Sequence, residues 1–247
     1  MPAPTVVGYV VVRNVIRLVT LAAIASVAGC GPRALVPTIP PLPGELIPPG
    51  DSGAVLARQL APTLYLQRDE TFPLLRAVAV LHPSRPIIAY HLLWADDAVG
   101  AWLPFTNPTD QEVIWVGYDS TLAPTDLWTY WHGTILHADW RGKGQVLVDV
   151  QWGKHGSIPR GTRRGDLPAF RSLWVFYALS WLVPDLWLGA FSRRGPFCFC
   201  HSFRRYQQFT RPMLLAPELD AVVRTADPDG VLRATFGERY SRKPAWP

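Results

Sequence analysis

The chain has 247 residues, of which 49% are hydrophobic and 17% charged, a composition that excludes extensive disorder. Its 24 Lys and Arg residues against 19 Asp and Glu give a net charge of +5, without a basic run of the kind that follows nucleic-acid phosphates. Three cysteines are too few for a disulfide-stapled scaffold. We therefore expect one large folded domain or two small ones, and no nucleic-acid partner.

The N-terminus has the layout of a secretory signal. Arg13 and Arg17 are the only charges before residue 30, and a short apolar run from Leu18 to Gly29 follows them. The run ends in Val27-Ala-Gly-Cys30, which resembles the lipobox of bacterial lipoproteins. This resemblance implies cleavage before Cys30, a diacylglyceryl group on its thiol and further acylation, such as palmitate.

We therefore predict a lipoprotein signal peptide at residues 1–29 and lipidation at Cys30. The expected location is extracytoplasmic and membrane-anchored, on the periplasmic or outer-membrane side, because two or more acyl chains give stable anchoring. The alternative is an uncleaved membrane anchor that begins at Val6. Its apolar stretch is interrupted by charge and is shorter than the roughly 20 residues that a membrane span needs.

Proline dominates the next stretch, with seven of the nineteen residues from Pro32 to Gly50. Such a sequence favours extended, polyproline-like backbone and cannot pack as a helix. We interpret residues 30–52 as a semi-rigid tether that holds a domain away from the membrane surface. The alternative is an ordered arm that lies against the domain.

Residues 53–247 are predicted to form a single domain of the mainly β class. Alternating apolar residues with short turn sequences between them indicate an antiparallel β-sandwich, with a few helices in the C-terminal third. A helix is predicted at Pro217–Thr225. The predicted strands are Leu75–Leu81, Pro86–Trp94, Glu112–Asp119, Leu127–His132 and Gln145–Trp152.

An apolar, Trp-rich segment occupies residues 172–191 and is broken by Pro184-Asp185. Its two pieces are each too short to cross a bilayer. One interpretation is a buried helix followed by a loop. The other is an excursion into a lipid surface, because tryptophan with flanking arginine is typical of membrane interfaces.

Motifs for covalent or zinc chemistry are weak. There is no Gly-x-Ser-x-Gly elbow, so a serine triad is not expected. Cys198 and Cys200 could serve a metal or a redox couple, but no second cysteine pair completes a structural site, and apolar packing is the simpler role. His132 and His137 lie five residues apart, on opposite faces of a strand, and are discounted as a ligand pair.

One constellation has the residue types of a hard-cation site. Asp110 and Glu112 open a predicted strand two residues apart, so their carboxylates project to the same side at the rim of the sheet. His155 follows another predicted strand, in a glycine-rich turn. Oxygen clusters of this kind suit Ca²⁺ or Mg²⁺, and we predict that Asp110, Glu112 and His155 form the possible metal site.

The stretches Ile87–Trp94, Asp110–Asp119 and Lys154–Gly156 resemble the core of the necrosis-inducing-protein-like cytolysins and related vacuolar-sorting-type β-sandwich domains. The resemblance covers roughly residues 75–160. That family carries a Gly-His-Arg-His-Asp-Trp-Glu heptapeptide, which supports a divalent cation that helps to hold a sphingolipid sugar headgroup. Laid on this motif, residues 106–112 match only at Asp110 and Glu112, and both histidines and the tryptophan are absent.

We expect a lipid-anchored protein of the cell envelope that binds a glycan or a lipid headgroup without catalysis. Two alternatives remain: a metal-assisted hydrolase with Glu112 or His155 as general base, and a structural or assembly lipoprotein that docks through residues 172–191. The predicted ligand-binding residues are Asp110, Glu112 and His155, with Trp94, Trp102 and Trp115 as stacking surfaces.

Overall fold

The structure is a computed structural model of the chain. It describes residues 41–67, 70, 72–95, 110–151, 155–163, 166–167, 209–237 and 243–247. Contacts divide the chain into Met1–Ala34 and Leu35–Pro247, and every described residue belongs to the second unit. The predicted features that lie outside the described residues are the signal peptide with Cys30, Trp102, the segment 172–191, and Cys198 with Cys200.

The described residues form eleven strands and three helices. The helices are α1 (Ser52–Gln59), α2 (Leu215–Glu218) and α3 (Pro228–Phe236). The strands are β1 (Glu45–Leu46), β2 (Thr63–Gln67), β3 (Leu74–Leu81), β4 (Ile87–Trp94), β5 (Asp110–Tyr118), β6 (Pro124–Trp131), β7 (Thr134–Asp139), β8 (Leu147–Val150), β9 (Ser157–Pro159), β10 (Phe209–Leu214) and β11 (Ala221–Arg224).

The strands form two sheets that pack against each other. The larger sheet has the order β1-β11-β3-β4-β5-β6-β7, and the smaller has the order β10-β2-β8-β9. The predicted mainly β sandwich is therefore confirmed. Most neighbouring strands are antiparallel, as expected, but each sheet also contains one parallel pair, β11 with β3 and β2 with β8.

Each of the five predicted strands corresponds to an observed one, namely β3, β4, β5, β6 and β8. The helix predicted at Pro217–Thr225 is wrong over most of its length, because α2 ends at Glu218 and the β-branched Val222 and Val223 lie in β11, paired with β3. Helix α1 lies outside the C-terminal third. It begins after Asp51, whose carboxylate accepts a hydrogen bond from the backbone N–H of Gly53 at 2.7 Å.

The larger sheet buries both of its faces. On its inner face Tyr90, Leu92 and Ile114 pack against residues of the smaller sheet. On its outer face Trp115 packs with Phe236 of α3 and with the C-terminal residues 245–246. Two apolar faces explain why the central strands read as nearly continuous hydrophobic runs.

The predicted tether is described from residue 41 onward. There, Glu45 and Leu46 pair with β11 in antiparallel register, and Ile47 is buried. For residues 45–47 this arrangement corresponds to the alternative interpretation, an ordered arm against the domain. None of the helices in the described part of the chain is long and apolar enough to cross a membrane.

Candidate functional site

Two central strands place the predicted acidic residues at one end of the sandwich. Asp110 is the register partner of Trp94, and Glu112 is the partner of Leu92. Leu92 and Trp94 belong to the core between the sheets, so the two carboxylates project from the inner face. The prediction that they share a face is confirmed.

His155 reaches the same place from the smaller sheet. It lies in the turn between β8 and β9, where its backbone N–H donates to the carbonyl of Gln151 at 2.9 Å. Its φ of 47° is uncommon for a residue with a side chain, so the turn holds it in a strained conformation. Gly156 follows without a side chain, and a Cβ there would lie only 2.7 Å from the indole of Trp131.

The imidazole of His155 is surrounded on several sides by acidic and aromatic groups. Its Nδ1 lies 2.9 Å from Oδ2 of Asp110, and its Nε2 lies 3.5 Å from Oε1 of Glu70. Trp94 stacks on the ring with a centroid distance of 4.3 Å and an interplanar angle of 7°. Phe72 approaches edge-on at 6.0 Å. We call Glu70, Asp110, Glu112 and His155 the acidic cluster.

Because the cluster is buried, the pKa of each member depends strongly on the charges of the others. The side chains of His155 and Glu70 are 0% and 1% exposed, whereas that of Asp110 is 17% exposed. Burial by itself would lower the pKa of His155, but the charge of Glu70 and the hydrogen bond with Asp110 outweigh it and raise this pKa to about 10. His155 is therefore an imidazolium ion at neutral pH.

Glu112 completes the cluster with a buried carboxyl group. Burial, and then the charge of Asp110, raise the pKa of Glu112 well above its ordinary value. Its Oε2 is buried and has no hydrogen-bond partner among the described residues. Of the three acidic members, Glu70, Asp110 and Glu112, Asp110 is the most exposed.

The arrangement is better suited to holding a carboxylate in a fixed orientation than to transferring a proton. A general base must be unprotonated and within hydrogen-bond reach of its substrate. His155 is protonated and fully buried, and the residue Glu112 is only 5% exposed. Asp110 is different, because its carboxylate is oriented by His155 and by the N–H of Gln111 at 2.9 Å, and part of it remains open to solvent.

The fit of the cluster to a divalent cation is poor. Among the described residues there is no group of three or more His, Cys, Asp or Glu side chains that could hold a metal ion. The two ring nitrogens of His155 face Asp110 and Glu70, so a metal bound to this imidazole would have to displace one of these contacts. We derive no step through a metal at this site.

The structure separates the predicted site residues into two groups. It brings together Trp94, Asp110, Glu112 and His155, whereas Trp115 lies on the opposite face of the sheet, where its Nε1 donates to the carbonyl of Ala245 at 2.8 Å. Trp94 is 1% exposed and covers His155, so in this structure it is not an open stacking surface.

Glu70 and Phe72 were missed. They follow β2 in a stretch whose sequence shows no motif, and they join the site only because β2 and β8 are parallel neighbours. The one available signal was weak: acidic residues that follow a buried strand within three positions, where a buried charge would require a partner.

No family model matches the chain, and no curated protein matches it. Among solved structures, it is similar to one described as NLPPya in complex with glucosamine, with 13% identity over 49% of this chain and 73% of that chain and a TM-score of 0.36. It is also similar to the Necrosis and Ethylene inducing Protein 2 from the causal agent of cocoa's Witches Broom disease, with 13% identity over 49% of this chain and 72% of that one and a TM-score of 0.35.

A third similar structure is described as a toxin fold as basis for microbial attack and plant defense, with 13% identity over 50% of this chain and 72% of that one and a TM-score of 0.32. These neighbours are necrosis-inducing toxin-fold proteins, the group that the sequence resembles. At 13% identity and TM-scores of 0.32 to 0.36, the likeness carries no argument about this chain, and it assigns neither a residue role nor a ligand to it.

Proposed function

We propose that this chain is a non-catalytic binding protein of the cell envelope, which recognises the ammonium or hydroxyl donors of a glycan or a lipid headgroup through Asp110. The observation that carries the proposal is the partly exposed carboxylate of Asp110, fixed at 2.9 Å by a fully buried His155. A carboxylate that is already oriented loses little conformational entropy when it accepts hydrogen bonds from a ligand.

The charge of the acidic cluster favours a donor-rich or cationic ligand. The cluster sets the carboxyl groups of Glu70, Asp110 and Glu112 against the single imidazole of His155, and the side chain of Asp110 is the one most open to solvent. An anionic ligand would meet repulsion there, whereas an ammonium group would form a charge-assisted hydrogen bond. Such a contact weakens with added salt, because one partner remains partly solvated.

Calorimetric titration of the full chain with glucosamine and mannosamine tests the proposal. These are the amino sugars that two of the similar structures are described as holding. We expect weak binding by the wild type and at least about tenfold weaker binding by Asp110→Asn, because the substitution keeps the shape and removes the charge.

Asp139→Asn is the matched control, since it removes one negative charge from an exposed carboxylate on β7. Equal losses of affinity in Asp110→Asn and Asp139→Asn would overturn the proposal. So would a wild-type chain that binds none of the sugars or vesicles. Vesicles that contain phosphatidylethanolamine, compared with vesicles of phosphatidylglycerol alone, distinguish a lipid ammonium headgroup from a soluble amino sugar.

We also propose that the chain reaches the envelope through a lipid on Cys30, as the lipobox-like sequence Val27–Cys30 indicates. Intact mass measurement of the full chain expressed in a bacterial host is expected to show a diacylated, cleaved N-terminus. Cys30→Ser should move the protein from the detergent phase to the aqueous phase. A wild-type chain that keeps residues 1–29, or that partitions like Cys30→Ser, would contradict the anchor.

A further inference from the structure

A recess lies at the end of the sandwich opposite the acidic cluster. It has a volume of about 330 Å³ and is lined by residues from the end of α1, the β5–β6 turn and the loop before β8. The acidic cluster adjoins the first residue of β5, and this recess adjoins the turn after its last. At ~3.3 Å per residue the two places are roughly 25 Å apart. We call this recess the neutral cleft.

The lining of the neutral cleft is mixed but uncharged. It is drawn from residues 59–60, 121–124 and 144–146, and no ionisable side chain occurs among these described positions. Leu122 supplies the exposed apolar surface, since Leu60 and Val146 are buried in the core behind it, and Gln59, Thr121 and Gln145 supply amide and hydroxyl groups. The lining residues themselves offer no charged partner, and the carboxylate of Asp119 lies behind the turn rather than in the lining, so the lining favours an uncharged ligand.

One wall of the cleft is a tightly specified turn. Oδ1 of Asp119 accepts hydrogen bonds from the N–H of Thr121 at 2.8 Å, from the Thr121 hydroxyl at 2.6 Å and from the N–H of Ala123 at 3.1 Å. These bonds hold Leu122 at a φ of 64°, a left-handed conformation that is strained for leucine. The side chain of Leu122 remains 44% exposed, so its burial on folding does not explain the strain.

The facing wall is also fixed before any ligand arrives. The amide Nε2 of Gln145 donates to the carbonyl of Ala61 at 2.9 Å, which sets the orientation of the side chain. The backbone carbonyl of Gln145 accepts from Nε1 of the buried Trp140 at 3.2 Å. A recess of this volume between two ordered walls falls in the range of small-molecule sites.

We propose that the neutral cleft is a second binding site, for an uncharged N-acylated sugar. The acyl methyl group would contact the exposed side chain of Leu122, and the ligand's amide and hydroxyl groups would pair with Gln59, Thr121 and Gln145. The site does not depend on Asp110 and is independent of the function proposed for the acidic cluster.

The test is a titration of the full chain with N-acetylglucosamine, monitored by NMR and calorimetry. A parallel titration with glucosamine probes the same sugar ring with a charged amine in place of the acylated one. The wild type is expected to bind N-acetylglucosamine. Leu122→Gly is expected to bind it about tenfold more weakly, because it removes one apolar wall while glycine accepts the left-handed backbone without strain. Its thermal stability should equal or exceed that of the wild type.

Gln59→Trp provides a second variant, because this exposed position at the end of α1 tolerates a large side chain that would cover the cleft. Leu214→Ala serves as the matched control, because it removes an exposed apolar side chain that does not line the cleft, and it should leave N-acetylglucosamine binding unchanged. The proposal is overturned by a wild type that does not bind N-acetylglucosamine, by unchanged binding in both cleft variants, or by an equal loss in Leu214→Ala.

Discussion

Two Asp–His pairs of nearly equal length lie in different surroundings. His155 and Asp110 approach to 2.9 Å with side chains that are 0% and 17% exposed. His137 and Asp126 approach to 2.8 Å on the edge hairpin of β6 and β7, with side chains that are 49% and 21% exposed. Since the two distances are nearly equal, the access of water to each pair decides what that pair contributes to stability.

A third histidine shows what burial does without a carboxylate. His91 is fully buried on the outer face of the larger sheet, and neither of its ring nitrogens has a hydrogen-bond partner among the described residues. Burial lowers the pKa of His91 to about 3, whereas Glu70 and Asp110 raise that of His155 to about 10. The same residue type is therefore neutral on one face and charged on the other.

The largest expected effect comes from removing the buried cation. His155→Asn keeps a residue that tolerates positive φ but leaves Glu70 and Asp110 without their shared partner. We expect the free energy of unfolding to fall by about 3–5 kcal/mol, as is usual when one partner of a buried ion pair is removed. Urea denaturation at neutral pH measures the loss.

A double variant tells whether this loss comes from the charge. In the background of His155→Asn, Glu70→Gln should recover part of the stability, since the buried carboxylate that lacks a partner is then neutral. If the two substitutions are simply additive, the imidazolium–carboxylate interaction does not stabilise the fold.

The pH dependence of stability is the next effect in size. The pKa of His91 is lower in the folded state than in the unfolded state, so the unfolded chain binds more protons between pH 6.5 and about 3. Stability from this group is complete above pH 6.5 and is lost as the pH falls. The loss is expected to reach about 3 kcal/mol at a pH near 4.

His91→Leu should remove this part of the acid sensitivity. The side chains packed around His91 are apolar, with Phe236 at 5.8 Å, and the nearby Arg76 donates to the carbonyl of Ala234. Unfolding free energies measured from pH 7 to pH 4 should therefore fall less steeply in His91→Leu. Equal slopes in the variant and the wild type would show that His91 is solvated.

Gly156→Ala is expected to have a moderate effect. The added Cβ would lie 2.7 Å from Cδ1 of Trp131, and a clash with a buried indole costs about 1–3 kcal/mol. Gly50→Ala is the matched control, because nothing lies within 4 Å of its Cβ position. Gly156→Ala should unfold at a lower temperature than Gly50→Ala. Equal melting temperatures would mean that the turn next to His155 can shift to accommodate the added methyl group.

The smallest effect is expected at the exposed pair. His137→Gln removes the contact with Asp126, which water already screens, and the change in stability should stay below about 1 kcal/mol. A loss as large as that of His155→Asn would contradict the conclusion that burial separates the two pairs.

The sequence predicted the parts of the site that depend on local pattern. Alternation along β5 placed Asp110 and Glu112 on one face, and the glycine-rich turn placed His155 at the end of a strand. The sequence did not predict β11. A strand of four residues beside a parallel partner carries no local signal that distinguishes it from the end of a helix. Glu70 was missed for the same reason, since nothing near it in sequence identifies its partner.

By itself, the sequence determined the class of the fold and the faces of its central strands, because side-chain direction in a strand has a period of two residues. Only the tertiary structure decided which charges are balanced. Glu70, Asp110 and His155 come from three separate segments, and their protonation depends on mutual distance and on exclusion of water. Both are set by the packing of the two sheets, which no local pattern encodes.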